Sequence, residues 1–174
     1  INKCKDYIMM YINTPQFENI FNISEKQILL SNINENMLVR ASGNNNKLVK
    51  ARANKLGMFY MEKLKYYKIS DQTFEMIQKK FKTSPSSAGI LVTEPNYKTL
   101  VHRDFGKREL VLNIKLKGAG KCCFENEEYT TNDAFIFNSK MPHCVDNLDC
   151  NEERIVVSIC WYKKFTINEI IENI

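Results

Sequence analysis

The sequence predicts an α+β fold, with helices in the first half of the chain and antiparallel strands in the second. Three observations support this prediction. Apolar residues recur at helical spacing up to about residue 82, and a Ser/Pro-rich stretch at residues 83–87 then breaks the pattern. Short alternating segments separated by turn residues follow this break. Helices that precede a block of strands indicate helices packed against an antiparallel sheet.

Length and composition are those of one globular domain. The chain has 174 residues, of which 44% are hydrophobic and 26% are charged. We expect residues 1–86 to form a mainly helical support and lid, residues 87–165 the β core, and residues 166–174 a terminal helix. No apolar run approaches the roughly 18 residues of a membrane span, so no membrane partner is expected.

The first half contains several predicted helices. Residues 1–31 are predicted to form short helices, one of which begins with a capping box made by Ser24 and Gln27. Residues 47–68 carry apolar side chains close to i, i+3, i+4 spacing, which predicts a longer helix with a core-facing stripe. Ser70 precedes a further helix whose apolar positions are Phe74, Ile77 and Phe81.

Seven strands are predicted in the second half. They lie near residues 89–94, 97–102, 109–117, 121–125, 127–131, 134–138 and 154–162. In the third of these, leucine and isoleucine alternate with Val111, Asn113 and Lys115. Asn113 is the short polar residue of that second face. Periodicity leaves two alternatives open for it, a position inside a pocket or on a solvated face.

The two histidines of the chain lie in the strand-rich half. His102 begins an H-x-D triplet with Asp104, and His143 follows 39 residues after the aspartate. Residues i and i+2 of a strand point to the same face, so His102 and Asp104 can reach one metal ion while Arg103 points away. Two histidines and one carboxylate form the facial triad of non-heme Fe(II) oxygenases. Taken singly, each histidine would by default be a core or surface residue.

Arg154 is the candidate cation of this arrangement. It follows His143 by eleven residues and begins the apolar run at residues 155–161. A guanidinium remains charged at any working pH and can bind a carboxylate through two parallel hydrogen bonds. The alternative is a surface strand residue paired with Glu152 or Glu153.

The order H-x-D, His, Arg resembles that of the Fe(II)/2-oxoglutarate-dependent dioxygenases. Residues 89–161 look most similar to the aspartyl/asparaginyl β-hydroxylase group, which includes relatives that act on proline. The supporting residues are Pro95, residues 112–116, 120–122, 124–129 and 134–137, His143, and Arg154 with the run to Trp161. The resemblance implies a double-stranded β-helix, a small jelly roll of the cupin-like type.

The same resemblance implies an activity and its cofactors. Fe(II) would be held by His102, Asp104 and His143, and the cosubstrate 2-oxoglutarate by Arg154, with Asn113 as a second contact. The implied reaction uses O₂ to hydroxylate a C–H bond of an amino-acid or peptidyl side chain and releases succinate and CO₂. Asp104 argues for hydroxylation, because halogenating relatives have a small residue there.

This chain departs from the group at two site positions and in its substrate contacts. The peptide-hydroxylating animal members have glycine at the place of Asp104 and histidine at the place of Asn113. Their substrate-contacting basic residues are not matched here, since Val111 occupies one such place. The substrate of that group therefore does not carry over.

The positive charge of the chain is concentrated in residues 44–83. This segment has ten basic and three acidic residues, so its net charge is +7. The rest of the chain has a net charge of −2, which gives the total of +5. Four aromatic residues (59, 60, 66 and 67) lie among the lysines, a composition that also suits single-stranded nucleic acid. A solvated helical face over an aromatic core is the simpler interpretation. The absence of any arginine after Arg154 disfavours the nucleic-acid-modifying dioxygenases.

Two further alternatives concern the site. The six cysteines have no C-x-x-C spacing, which favours reduced thiols and a cytoplasmic protein over a disulfide framework. Cys144 and Cys150 near His143 allow a structural zinc site, although such a site would leave Asp104 without a role. A cupin-like binding module without turnover is the other alternative, because a jelly roll does not by itself imply catalysis.

Overall fold

The computed structural model describes residues 11–41, 63–104, 106–124, 133–162 and 165–172. In these ranges it contains ten strands: β1 (Tyr11–Asn13), β2 (Leu38–Ala41), β3 (Leu64–Lys68), β4 (Ser87–Thr93), β5 (Tyr97–Lys98), β6 (Leu110–Lys117), β7 (Lys121–Phe124), β8 (Ala134–Asn138), β9 (His143–Asn147) and β10 (Arg154–Trp161). It also contains the helices α1 (Ile23–Ser31), α2 (Asp71–Gln78) and α3 (Ile167–Ile171), and a 3₁₀ turn at Pro15–Phe17.

The strands form two antiparallel sheets. The larger sheet has the order β1-β8-β6-β10-β4-β3-β2, and the smaller one has the order β5-β9-β7. From β4 to β10 the chain passes from the larger sheet to the smaller one and back at each successive strand. This alternation is that of a double-stranded β-helix. The predicted fold class, a jelly roll with supporting helices, is therefore confirmed.

Each face of the larger sheet is buried against a different partner. The outer face presents Leu112, Ile159 and Trp161 to the helices, which contribute Leu29 and Ile77 to the same apolar cluster. The inner face presents Val111, Phe135, Phe137 and Cys160, which contact Cys122 and Phe124 of the smaller sheet. Burial on both faces explains why all eight residues of β10 are buried and why its sequence is a nearly continuous apolar run.

A substitution at the centre of β10 can test this packing. Ile159 is 0% exposed, and it lies opposite Ala88 of β4 and Leu112 of β6. We expect Ile159→Ala to lower the free energy of unfolding by about 2–5 kcal/mol, because it leaves a cavity in the outer core. Chemical denaturation measures this, with Ile23→Ala (79% exposed) as a control expected to change stability by less than about 0.5 kcal/mol. Equal effects of the two substitutions would contradict this packing.

Several helix predictions in the first half need correction. The helix predicted over residues 47–68 is wrong at its end, since Leu64–Lys68 is strand β3 and pairs with β4; residues 47–62 lie outside the described ranges. Tyr11–Asn13 is likewise a strand, paired with β8. The apolar spacing of these segments is compatible with a helix. Both form strands instead, because tyrosine favours strands and because each segment pairs with a neighbouring strand of the sheet. Residues 1–86 thus contribute strands as well as helices, which differs from the mainly helical support predicted.

The helix ends agree only in part with the predictions. Helix α1 is capped by Asn22, whose side chain accepts from the backbone N–H of Glu25, so the predicted cap at Ser24 is wrong by two residues. Helix α2 begins after Ser70, whose hydroxyl accepts from the backbone N–H of Thr73, as predicted. No helix in the described ranges is long and apolar enough to cross a membrane.

In the second half, strands β4, β6, β7, β8 and β10 lie within two residues of the predicted bounds. The strand predicted over 97–102 is shorter, Tyr97–Lys98, and His102 joins the sheet by an isolated bridge only. Strand β9 was not predicted. The prediction over residues 127–131 lies outside the described residues.

Candidate metal centre

The two histidines are brought together by backbone pairing. The N–H of His102 donates to the carbonyl of His143 at 2.8 Å, and the N–H of His143 donates back at 2.9 Å. This single bridge between the residues after β5 and the start of β9 places the two imidazole centroids 4.4 Å apart. The contact spans 41 positions of sequence, so only the folded roll creates it.

Asp104 reaches the same place from a loop. Its backbone N–H donates to the carbonyl of Ser139 at 2.8 Å, and the ammonium group of Lys140 donates to its carbonyl at 3.1 Å. Its Oδ1 lies 3.9 Å from Nε2 of His102 and 3.7 Å from Nε2 of His143. Arg103 is exposed, as expected. The predicted strand carrying His102 and Asp104 together is wrong, since both follow the end of β5.

Both imidazoles have the orientation of metal ligands. Nδ1 of His102 lies 2.8 Å from the carbonyl of Leu100, and Nδ1 of His143 lies 2.8 Å from the carbonyl of Met141. A carbonyl only accepts, so each Nδ1 carries a proton, and in the neutral form of the ring Nε2 then has the lone pair that can bind a metal ion. Backbone carbonyls that fix a histidine tautomer in this way are typical partners of metal-binding imidazoles.

Burial favours the neutral form of His143. The side chain is 5% exposed, and burial lowers its pKa, with His102 acting in the same direction and the carboxylate of Asp104 opposing it. The ring of Phe137 packs edge-on against it at 5.0 Å between centroids, and Phe124 lies at 6.4 Å. A neutral imidazole in dry surroundings is the form that binds a metal ion.

The three side chains fit a metal ion. Their ligand atoms all lie within 4.8 Å of one another. Two ligand atoms on the same side of an octahedral ion, each bonded at about 2.1 Å, lie about 3 Å apart. The Oδ1–Nε2 distances of 3.9 and 3.7 Å are each within about 1 Å of that value, so a small side-chain adjustment closes the group. One carboxylate oxygen and two imidazoles on one side of an ion are the donor set of Fe(II) oxygenases. Within the described ranges this is the one His/Cys/Asp/Glu cluster of that kind.

Cysteine does not take part in that cluster. Cys144 follows His143 on β9, so its side chain points to the opposite face of the smaller sheet, where it lies across from Cys123. The structural-zinc alternative needs Cys144 on the same side as His143. The described residues therefore do not support it.

Arg154 lies inside the roll. It is 2% exposed and shares the inner face of β10 with Ser158 and Cys160, so the surface ion pair with Glu152 or Glu153 is wrong. Its Nε donates to the carbonyl of Gly120 at 3.0 Å. Within the described part of the chain, no carboxylate is within ion-pair distance of its guanidinium. Burial lowers its pKa, and a desolvated cation of this kind is stabilised by an anion.

Asn113 also faces the interior. It lies opposite Ser158 of β10 and Phe135 of β8, and it is 5% exposed. Its Oδ1 is buried and has no hydrogen-bond partner among the described residues. The solvated-face alternative is therefore wrong. An orphaned polar atom inside the roll indicates space for a ligand or water that carries a donor.

Arg154 and His143 both lie on the inner side of the roll. Arg154 shares the inner face of β10 with Cys160, and Cys160 belongs to the same apolar cluster as Phe124. The ring of Phe124 lies 6.4 Å from that of His143. Lys115 is the next candidate for a cation that binds a cosubstrate carboxylate, but it is paired with Asp133 at 2.6 Å.

Gly120 supports Arg154 by leaving it space. A Cβ at Gly120 would overlap Oδ1 of Asn147 and lie 2.7 Å from Cδ of Arg154. We expect Gly120→Ala to cost about 1–3 kcal/mol of stability through overpacking, measured by chemical denaturation. Ala119→Ser, at the exposed neighbouring position, is the control and should change stability by less than about 0.5 kcal/mol. Similar stability of both variants would show that the Arg154 pocket is not tightly packed.

Two contributors were missed by sequence reasoning. Lys140 holds the loop of Asp104 by donating to the carbonyls of Asp104 and Gly106. Arg108 places its guanidinium 5.4 Å from the ring centroid of Tyr66, and its carbonyl accepts from the hydroxyl of Ser139, whose own carbonyl accepts from the N–H of Asp104. No motif marks either residue, because their positions depend on contacts between distant segments.

Comparison with known proteins finds likeness only at the level of solved structures. No protein-family model and no curated protein matches the sequence. A Pseudomonas putida prolyl-4-hydroxylase is similar over 90% of this chain and 94% of its own, with 11% identity and a TM-score of 0.47. A cupin domain of a transcriptional regulator from Enterobacter cloacae covers 59% of this chain and 99% of its own, with 12% identity and a TM-score of 0.42.

A third similar structure is a predicted oxalate decarboxylase from Thermotoga maritima. It covers 57% of this chain and 81% of its own, with 13% identity and a TM-score of 0.41. A fold does not by itself determine an activity, so any inference about function depends on the side chains described above.

Proposed function

We propose that this protein is an Fe(II)- and 2-oxoglutarate-dependent dioxygenase that hydroxylates a C–H bond of an amino-acid or peptidyl side chain. The observation that carries the proposal is the conjunction of a two-histidine, one-carboxylate cluster with a buried Arg154 on the inner face of the same roll, where no carboxylate of the described residues pairs with it. When bound, Fe(II) and 2-oxoglutarate would supply the oxidising power for O₂-dependent hydroxylation, with release of succinate and CO₂.

The residues of the chain have separate roles in this proposal. His102, Asp104 and His143 bind the metal on one side and leave its other positions to ligands. Arg154 binds the far carboxylate of the cosubstrate through its fork, and its Nε contact with Gly120 orients that fork. Asn113 offers a further polar contact on the inner face. Phe124 and Phe137 exclude water from one side of His143.

Binding measurements test this proposal before the substrate is identified. Anaerobic calorimetry with Mn(II), which resists oxidation, should show one site per chain. 2-Oxoglutarate should then bind the Mn(II)-loaded protein more tightly than the metal-free protein, because one end of it contacts the metal. Equal affinity with and without Mn(II) would contradict the proposal.

Turnover separates an enzyme from a cupin-like binding module. Succinate release should be measured with Fe(II), 2-oxoglutarate and panels of free amino acids, acidic and proline-containing peptides, and single-stranded oligonucleotides. Stimulation by amino acids or peptides supports the proposed substrate class. Stimulation by oligonucleotides alone would favour the nucleic-acid alternative of residues 44–83, in which Lys65 and Lys80 already pair with Glu94 and Glu25. Metal and 2-oxoglutarate binding without any succinate release would favour the binding module.

A further inference from the structure

Arg108 is held in place at the end of the roll that carries the triad. Its carbonyl accepts from the hydroxyl of Ser139 at 3.2 Å, and the following residue, Glu109, donates its N–H to the carbonyl of Trp161 at 3.2 Å. The carbonyl of Ser139 also accepts from the N–H of Asp104. The backbone of Arg108 is therefore tied through one residue to the loop of a candidate metal ligand. Its side chain is partly buried.

Tyr66 supports the guanidinium of Arg108. The ring of this β3 residue lies across Gly89 so closely that a Cβ there would overlap the tyrosine hydroxyl. The guanidinium carbon sits 5.4 Å from the ring centroid, within cation–π range. Gly89 belongs to the same inward-facing row as Ser158 and Asn113. Tyr66 thus holds Arg108 at the border of the interior.

Among the residues that the structure describes, no carboxylate lies within ion-pair distance of the guanidinium of Arg108. Burial opposes its charge, but the surrounding groups, with Cys160 and Tyr66 foremost, raise the pKa of Arg108 on balance. A partly desolvated cation without its own counter-ion favours an anionic ligand.

We propose that Arg108, supported by Tyr66, binds a carboxylate of the substrate beside the metal cluster. This inference rests on the proposed function, and it assigns different ligands to the two arginines. Arg154 binds the cosubstrate from the inner face of β10, and Arg108 binds the substrate from the loop next to Asp104. A planar guanidinium with one charge matches a carboxylate in geometry and charge. A phosphate monoester, with a charge of about −1.5 to −2, would be compensated less completely.

Arginine side-chain NMR can test this subsite directly. The chain has five arginines, so the Nε–H signals of protein labelled with ¹⁵N-arginine can be assigned with single variants. Zn(II) serves as a diamagnetic stand-in for the metal, and 2-oxoglutarate is present at saturation. The probes are N-acetylglycine, its uncharged analogue N-acetylglycinamide, and inorganic phosphate. The Arg108 signal should shift saturably with N-acetylglycine and remain unchanged with the amide.

Variants separate a binding role from a structural one. When Arg108 itself is replaced, the backbone amide signals of Tyr66 and Gly89 report binding, observed in uniformly ¹⁵N-labelled protein. Arg108→Gln should weaken N-acetylglycine binding at least about tenfold, and Arg108→Lys, which keeps the charge but loses the fork, should weaken it less. Arg103→Gln, at the exposed position between the candidate ligands, is the matched control and should bind normally. If Arg108→Gln does not fold, the wild-type signal and Arg108→Lys decide the question.

The outcomes distinguish the two proposals. A shift of Arg108 with the amide as well as the acid, or with neither, would overturn the carboxylate subsite. A response to inorganic phosphate alone would assign the cation to phosphate instead and would also overturn it. Failure of 2-oxoglutarate to perturb the Arg154 signal would count against the proposed function. The Arg108 response is still measured in that case, because N-acetylglycine can be titrated into the metal-free protein.

Discussion

Replacement of His143 by alanine is expected to abolish metal binding. In the proposed site the imidazole is one of three protein ligands, and its Nε2 is directed to Asp104 by the bond from Nδ1 to the carbonyl of Met141. Loss even of a supporting residue typically weakens metal affinity by 10–100-fold, so loss of a ligand should exceed about 100-fold. His102→Ala should have the same effect. Calorimetry with Mn(II) measures both.

Folding must be controlled in this experiment. His143 packs against Phe137, so alanine also creates a cavity, and His143→Leu restores volume without a donor atom. Arg103→Ala serves as the matched control, because the residue lies within the triplet but is exposed. Asp104→Ala should weaken binding less than either histidine variant, since the β-hydroxylases that this chain resembles have glycine there. Stoichiometric Mn(II) binding in both histidine variants would refute the assignment.

The strands of the roll were predictable where burial imposes a simple pattern. β6 and β10 lie at the centre of the larger sheet. Five consecutive residues of β6 are buried, and all eight residues of β10 are buried. Such runs are long enough to distinguish from a loop. β9 was missed because its sequence, from His143 to Asn147, is short and mixes polar with apolar residues. It is a strand because β5 and β7 pair with it on both sides.

The residues of the candidate site could be predicted from the sequence for a different reason. With only two histidines in the chain, the order of His102, Asp104, His143 and Arg154 was sufficient to select the cluster that the fold brings together. The geometry of the site could not be predicted from the sequence. The i, i+2 argument assumes a strand at residues 102–104, whereas loop contacts of Ser139 and Lys140 position Asp104. Arg108 could not be selected, because its environment is created by Tyr66, which is 42 positions earlier and lies in a segment predicted as helix.

Arg154→Ala is expected to reduce 2-oxoglutarate affinity strongly while leaving Mn(II) binding intact. Loss of a charge-assisted, bidentate contact in a desolvated pocket costs about 2–5 kcal/mol, which corresponds to roughly 30-fold to several-thousand-fold weaker binding. Calorimetry on the Mn(II)-loaded protein measures this change. Arg154→Lys retains a charge but loses the Nε contact with Gly120, so its affinity should be intermediate.

Asn113→Ala provides the matched comparison on the neighbouring strand of the same inner face. It removes one neutral hydrogen-bonding group, which should cost about 1 kcal/mol, or about fivefold in affinity. The ratio between the two variants is informative, because general loosening of the roll would weaken both equally and would also disturb Mn(II) binding. Unchanged 2-oxoglutarate affinity in Arg154→Ala would show that another cation binds the far carboxylate. Lys115 would then be the next candidate, and it would first have to release Asp133, with which it is paired at 2.6 Å.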